Sequence, residues 1–499
     1  FQCMSLLIPA VLALLAAAAY YVISFYRNVA RYPKGPTPLP IFGNSLQIQV
    51  SKISDEIARM SEEYGSVFTL FLPKPIVIIT DYAAFKEAFV QKGEDFVDRP
   101  VNLLSQELNF CPNGGVIRSN GENWREQRRA AISILRDFGM GKSIMEEKVK
   151  ESAEEYLRCL AAIKDKEAVD MRWPIQLMIA NIINEVLFDH KYDYDDCAPL
   201  IDYVEGFNKL LNGISGRVRV VLAMSFPWML KVPVIGYHAI GKHLEHKNKL
   251  FHYIEEEVAR AKKSYKEDGE PDCFVHAYMQ RMKRNAMLNN DQMYACCNDF
   301  FLAGQETTTT TLRWAMLLLA ANQDVQDKIR AEILSVVGKS RLPSMADRPR
   351  LHYTSAAVFE VQRRANILAM NVQRVAVVDT EVQGFKIPAG SNVDGDIHQI
   401  MAHDPLFKDP MAFRPERYLM EDGKTFNKDL VDRTVPFSLG KRQCAGEGLA
   451  RVELFIGLAA TLQNYHILPL ADGTEIDLEP QPLNIRLPKP QKVRIVPVV

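Results

Sequence analysis

The sequence predicts a mainly α-helical protein with a minor β-sheet region, built as a single large domain behind an N-terminal transmembrane helix. Three observations carry that prediction. Met4 to Tyr26 is almost wholly apolar and long enough, as a helix, to cross a bilayer. Most of the chain beyond residue 140 carries apolar residues at helical spacing, as in Met145 to Ile163 and Leu250 to Lys263. The β-prone stretches are short: Val67 to Leu72, Ile76 to Thr80, Thr380 to Ile387 and Arg494 to Val499.

Taken in order, residues 1–26 read as a membrane anchor. Arg27, Arg31 and Lys34 follow it, and a basic flank on that side predicts a cytosolic location for the rest of the chain. A cleaved signal peptide is the rival, favoured by the small residues Ala16 to Ala19. The cysteines argue against secretion, because Cys3, Cys111, Cys159, Cys197, Cys273, Cys296, Cys297 and Cys444 are scattered with no CxxC pair. The chain opens on Phe1 rather than Met, so the natural N-terminus is expected upstream. Residues 27–44 form a basic, proline-rich spacer in which Pro33, Pro36, Pro38 and Pro40 hold the backbone extended.

Residues 45–499 are expected to form one catalytic domain. Length alone would suggest several, but no low-complexity stretch interrupts the periodic segments. Val67 to Thr80 reads as a hairpin around Pro73-Lys74-Pro75. A net charge of -1, with both signs intermixed, offers no stripe to follow phosphates and disfavours nucleic acid as a partner.

Asn290 to Asn322 reads as one helix of about 30 residues, or about 45 Å. Gly304 and the run Thr307 to Thr311 stand in its middle, although glycine and β-branched residues are poor helix formers. A glycine there lets something flat approach. A threonine hydroxyl either bonds its own i-4 carbonyl or presents a proton. A buried threonine-rich helix without chemical function is the plain alternative.

Phe437-Ser438-Leu439-Gly440-Lys441-Arg442-Gln443-Cys444-Ala445-Gly446 precedes an apolar run from Leu449 to Leu462. Cys444 therefore stands at a helix N-terminus, where free N–H groups favour a thiolate. Gly440 and Gly446 allow close backbone approach, Arg442 adds a fixed positive charge, and Phe437 can shield the sulfur. A lone loop cysteine is more often an inert thiol, so the surroundings decide the reading.

Those ten residues resemble the FxxGxRxCxG haem-binding signature of the cytochrome P-450 superfamily, matched at Phe437, Gly440, Arg442, Cys444 and Gly446. The resemblance extends along the chain. Ala303-Gly304-Gln305-Glu306-Thr307-Thr308 is similar to the family's oxygen-activation motif, which implies that Gly304 leaves room for dioxygen while Glu306 and Thr307 relay protons. Glu360-Val361-Gln362-Arg363 resembles ExxR, with Arg417 of Phe413 to Tyr418 as its companion; the family implies a buried structural triad, whereas an exposed surface pair is the plain alternative. Trp124 and Arg128 look like a WxxxR pair that, with Arg442 and Arg374, binds haem propionates; a plain surface arginine rivals that reading at Arg374. Residues 33–40, Arg136 to Gly139 and Phe226-Pro227-Trp228 resemble the microsomal animal branch, and Phe226 to Ile235 either dips into the membrane surface or forms a buried turn. Arg364, directly after the ExxR arginine, stands where many relatives carry an apolar residue, and Ala369 stands near where a proline often follows.

The resemblance implies a haem b monooxygenase that puts one atom of O2 into a hydrophobic small molecule. It also implies an endoplasmic-reticulum membrane location. NADPH would be used indirectly, through a separate flavoprotein reductase, with cytochrome b5 as a further electron donor. The chain has no strand followed by GxGxxG, and Gly139 to Ser143 lacks phosphate-loop spacing, so a partner must bring the electrons. Lys441, Arg128 and Arg129 hint at a basic docking face. A haem-thiolate isomerase or dehydratase, or a haem protein without catalysis, are the competing classes. The substrate pocket is expected among Val101 to Ile117, Phe207 to Val221 and Gln481 to Leu487.

Overall fold

Helical periodicity governs most of the chain, and the computed structural model is accordingly mainly helical, with three small sheets among the described residues. It describes all residues except 1, 50–52, 73, 102–105, 107–108, 139–142, 215–226, 237, 239–241, 482–484 and 499. Phe226, Gly139 and parts of the expected pocket segments therefore lie outside the described residues. The chain divides into two compact units, one of residues 1–100 with 370–399 and one of residues 101–369 with 400–499.

In the first unit, α1 (Gln2–Val29) contains the apolar stretch Ile8–Val29, long enough to span a membrane and with none of its residues buried. The end of α1 and the residues after it are fixed to the sheet. Phe25 and Tyr32 meet Phe71 edge-on with ring centroids at 6.1 and 5.7 Å, and the Tyr26 hydroxyl donates to Pro38 O at 3.3 Å. Next, α2 (Ile53–Tyr64) turns Ile57 and Met60 inward, where they join a core with Phe68, Leu70 and Ile78. The expected hairpin forms as β1 (Val67–Leu72) and β2 (Lys74–Ile79), antiparallel with Leu72 opposite Lys74. β3 (Arg374–Val375) and β6 (Asn392–Gly395) complete a sheet of order β1-β2-β6-β3, while β4 (Thr380–Val382) and β5 (Phe385–Ile387) make a separate hairpin.

The second unit is a helical body. Its long helices are α3 (Gly121–Asp137), α4 (Ser143–Ala162), α5 (Arg172–Phe188), α6 (Ala198–Ile214), α7 (Lys242–Ser264), α8 (Phe274–Met282), α9 (Asn290–Ala321), α10 (Gln323–Val336), α11 (His352–Ala365) and α12 (Glu447–Asn464). α5, α9 and α12 are buried around nearly their whole circumference, as helices without a polar face must be, and form the centre of the core. α9 starts where Asn289 caps the N–H of Gln292 at 3.0 Å and runs unbroken for 32 residues. The C-terminal sheet pairs β7 (Tyr465–Leu468) with β8 (Arg494–Pro497), antiparallel.

Candidate active site

The Cys444 loop is closed by its own backbone. Cys444 N–H donates to Phe437 O at 3.0 Å, Gln443 N–H to Gly440 O at 2.9 Å and Ser438 N–H to Val435 O at 3.0 Å. The tight path needs left-handed backbone at Ser438 (φ 58°) and Gly440 (φ 79°), and glycine meets that need without strain. Gly446 is the N-cap of α12 in an ordinary conformation, with open space where a Cβ would lie. Phe437 sits under the Arg451 guanidinium at 5.0 Å.

The Cys444 side chain is exposed. Desolvation pushes its thiol pKa up, and the Glu447 charge adds to that. The N–H groups of Gly446 and Glu447 and the Arg128 cation pull the other way. The net direction is upward. The helix N-terminus contributes as expected, but burial outweighs it. A thiol of this kind is deprotonated by metal coordination rather than by the protein alone.

Trp124, Arg128 and Arg442 converge beside this loop. The Arg442 guanidinium lies 3.7 Å from the centroid of the Trp124 ring and donates to Ser119 O at 2.6 Å. Arg128 also faces the Trp124 ring, at 6.0 Å, and donates to Gln443 O, the carbonyl next to Cys444, at 2.6 Å. The buried Trp124 Nε1 finds no hydrogen-bond partner among the described residues. A buried indole N–H left unpaired costs about 1–3 kcal/mol, so it awaits an acceptor. An accessible sulfur, an orphan N–H donor and two arginines form a donor set that fits a haem with its carboxylates. Arg374 belongs to the first unit, where it is buried and stacks over Phe89 at 5.3 Å; the plain surface reading is overturned there.

Helix α9 spreads its threonines among several tasks. Thr307, Thr309 and Thr311 each donate to the carbonyl four residues back, at 2.7, 2.6 and 2.9 Å. Thr310 donates to Glu306 Oε1 at 3.3 Å, and Thr308 donates to Glu453 Oε2 of α12 at 3.0 Å. Ala303 is exposed and Thr307 half-buried, one helical turn apart on the same open face. Glu306 is buried on a neighbouring face with Oε2 unpaired among the described residues; burial raises its pKa, opposed by Arg313, Arg172 and Thr310. Gly304 does a different job from the one expected. A Cβ there would stand 2.8 Å from Ile183 Cδ1, so the glycine lets α5 pack against α9 rather than making room on the open face.

The ExxR triad is buried, against the surface alternative. Arg363 donates twice to Glu360, at 2.7 and 2.9 Å, and Arg417 once, at 3.1 Å. The arginines spend their remaining N–H groups on carbonyls of Met401, Pro410, Ala412, Lys408 and Asp409, tying the segment 401–417 to α11. Arg364 is half-buried with its guanidinium against Met411 Sδ at 3.8 Å. Of the suspected basic face, Lys441 and Arg129 are exposed while Arg128 is turned to Gln443.

Two buried acids near the site escaped the sequence reading. Asp299 accepts the N–H groups of Val116 and Ile117 at 2.8 and 2.9 Å and pins that loop to α9; burial lifts its pKa to about 6. Glu453 of α12 is pushed up to about 8 by burial. Neither lies in a motif, and their partners are far away in sequence.

The Cytochrome P450 family pattern matches residues 33–495. The chain belongs to that family. Among curated relatives it is 34% identical to Cytochrome P450 2H1 of Gallus gallus over 500 residues, covering 98% of this chain and 99% of that protein. It is 34% identical to Cytochrome P450 2F2 of Mus musculus, over 92% of each chain. It is 35% identical to Cytochrome P450 2C11 of Rattus norvegicus, over 95% of this chain and 94% of the other. As a cytochrome P450 it is a haem-thiolate monooxygenase with haem b as cofactor and O2 as co-substrate.

Proposed function

We propose that Cys444 would hold the haem iron of this cytochrome P450 through its sulfur and that the enzyme hydroxylates hydrophobic small molecules at an endoplasmic-reticulum membrane, facing the cytosol. The observation that carries the site assignment is the accessible Cys444 sulfur on a self-closed loop, with the orphan Trp124 N–H and two arginines beside it. Haem, when bound, supplies the iron at which dioxygen is activated and charges the site with a thiolate-ligated metal.

The chain's own residues then have distinct tasks. Trp124, Arg128 and Arg442 would hold the haem propionates by hydrogen bonds and charge. Ala303 keeps the open face of α9 small, and the Thr307 hydroxyl beside it holds a proton at Oγ1. Glu306, held by Thr310 on the adjoining face, is a raised-pKa acid able to refill that hydroxyl through water. Glu360, Arg363 and Arg417 steady the approach to the thiolate loop. Arg374 is assigned to a propionate from the family pattern alone.

Electrons come from NADPH through a separate flavoprotein reductase, with cytochrome b5 as a second donor. The exposed Lys441 and Arg129 suit an acidic partner. Exposure of Trp228 (62%) and Val234 (70%) supports a membrane-surface contact for that segment over a buried turn, and apolar substrates gather in the same lipid. The deciding experiment is the carbon monoxide difference spectrum of the reduced protein and of Cys444→Ala. A strongly red-shifted Soret band in the parent, absent in the variant, is expected. A histidine-type spectrum in the parent would sink the assignment. Thr307→Ala separates oxygen activation from isomerase or dehydratase chemistry, since a monooxygenase lacking that hydroxyl leaks peroxide.

A further inference from the structure

Thr308 breaks the pattern of its neighbours. Thr307, Thr309 and Thr311 give their hydroxyls to carbonyls of their own helix, whereas Thr308 gives its hydroxyl to Glu453 of α12, across 145 residues of sequence, at 3.0 Å. Both side chains are buried, Thr308 to 3% and Glu453 to 1% exposure, and Glu453 Oε1 has no partner among the described residues. A carboxyl in such a place is tolerated only as the neutral acid. Burial indeed lifts it to about 8, with Thr308 pulling the other way and no charged group adding to either side. Among the described residues, charged or titratable groups of neighbouring elements reach α12 at Arg451, which the Arg348 charge opposes, and two turns beyond Glu453, where Tyr156 of α4 meets Thr461 Oγ1 at 3.2 Å and Arg330 of α10 meets Leu462 O at 3.3 Å.

One turn along both helices from this bond, the crossing is tightly packed. A Cβ on Gly457 would stand 3.1 Å from Leu312 Cδ1 and 3.2 Å from Met178 Cε. The apolar contact fixes the distance between α9 and α12. The polar bond fixes how far α9 is rotated about its own axis, because a hydrogen bond is directional and a methyl contact is not. The bond's position gives it functional reach. Thr308 is the chain neighbour of Thr307, and Glu453 lies on the helix that begins just after Cys444.

We infer that Glu453, through Thr308, is a positioning residue for the proton-relay face of α9, setting where the Thr307 hydroxyl stands relative to the thiolate side of the enzyme. This rests on the monooxygenase reading above. When the bond is lost, Thr308 returns to its own i-4 carbonyl like its neighbours, and α9 relaxes in rotation. Ionisation of Glu453 has the same consequence at alkaline pH, where a buried carboxylate without a cation draws in water.

The test uses the reduced holoenzyme with carbon monoxide as probe, reading the C–O infrared stretch, which senses a polar hydroxyl beside the bound gas. Thr308→Val and Glu453→Leu are expected to shift and broaden the band, while Thr308→Ser and Glu453→Gln keep it near the parent's at pH 7. The parent is expected to change on the alkaline side with a midpoint near 8, a transition lost in Glu453→Gln. Should Glu453→Leu fail to fold, Thr308→Val and the Glu453→Gln pH profile decide alone. A band unmoved in Thr308→Val despite a lower melting temperature overturns the inference and leaves only packing. So does an alkaline transition that persists in Glu453→Gln. A parent without the red-shifted Soret band overturns the functional reading itself, which the first spectrum reveals before any variant is made.

Discussion

Replacing Glu360 by Ala removes the anion from a buried triad and leaves two guanidiniums facing each other. The side chains of Arg363 and Arg417 are 1% and 3% exposed, and Glu360 is fully buried. Four hydrogen bonds vanish: two from Arg363, one from Arg417 and one from the Arg414 N–H at 2.9 Å. Breaking a buried ion pair from one side costs about 3–5 kcal/mol, since the remaining charge stays desolvated. Spread over the unfolding entropy of a body of roughly 370 residues, that is a fall of about 4–6 °C in melting temperature. The assay is a thermal melt of the holoenzyme followed by the Soret band. Because both arginines also bind carbonyls of the segment 401–417, the variant is further expected to hold haem less tightly. Glu360→Gln, which keeps an acceptor oxygen, should lie between. A melting temperature within a degree of the parent's for Glu360→Ala would falsify the claim that the triad is a buried, mutually dependent unit.

Other outcomes follow from the site geometry. Gly304→Ala is expected to destabilise by about 1 kcal/mol, overpacking against Ile183 being partly offset by better helix propensity. In an Ile183→Val background the same change should become neutral or stabilising, and a failure to rescue would return Gly304 to the open face. Trp124→Phe removes an unpaired donor, so the haem-free protein should lose little stability while haem dissociation rises about 5- to 10-fold, measured by transfer to apomyoglobin. Asp299 titrates near 6, above the usual 3.8. Its neutral form favours the fold, so the contribution is full below about pH 4 and is lost as pH rises through 6, by up to about 3 kcal/mol. Asp299→Asn should show a smaller drop in denaturation midpoint between pH 4.5 and 7.5 than the parent; an equal drop refutes that assignment.

The parts of this protein that were legible in its sequence are those encoded locally. The loop from Phe437 to Gly446 and the hairpin from Val67 to Thr80 each fix their backbone within a dozen residues, through glycine placement, proline and β-branched runs. The long helix was legible despite its threonines because its Asn289 start and apolar flanks are local too. What escaped depends on partners far along the chain. Nothing near Gly304 names Ile183, and nothing near Thr308 names Glu453. The thiol of Cys444 shows the same limit, because helix-terminal N–H groups can be read from order along the chain whereas burial cannot.

The self-closed Cys444 loop also bears on how the cofactor arrives. Its backbone bonds bind the loop to itself, and its left-handed residues fix the turn without help from a ligand. The conformational entropy of presenting the sulfur is thus lost when the polypeptide folds, not when haem is captured. Haem uptake by the folded apoprotein should then run as a single second-order phase, with no slower ordering step behind it.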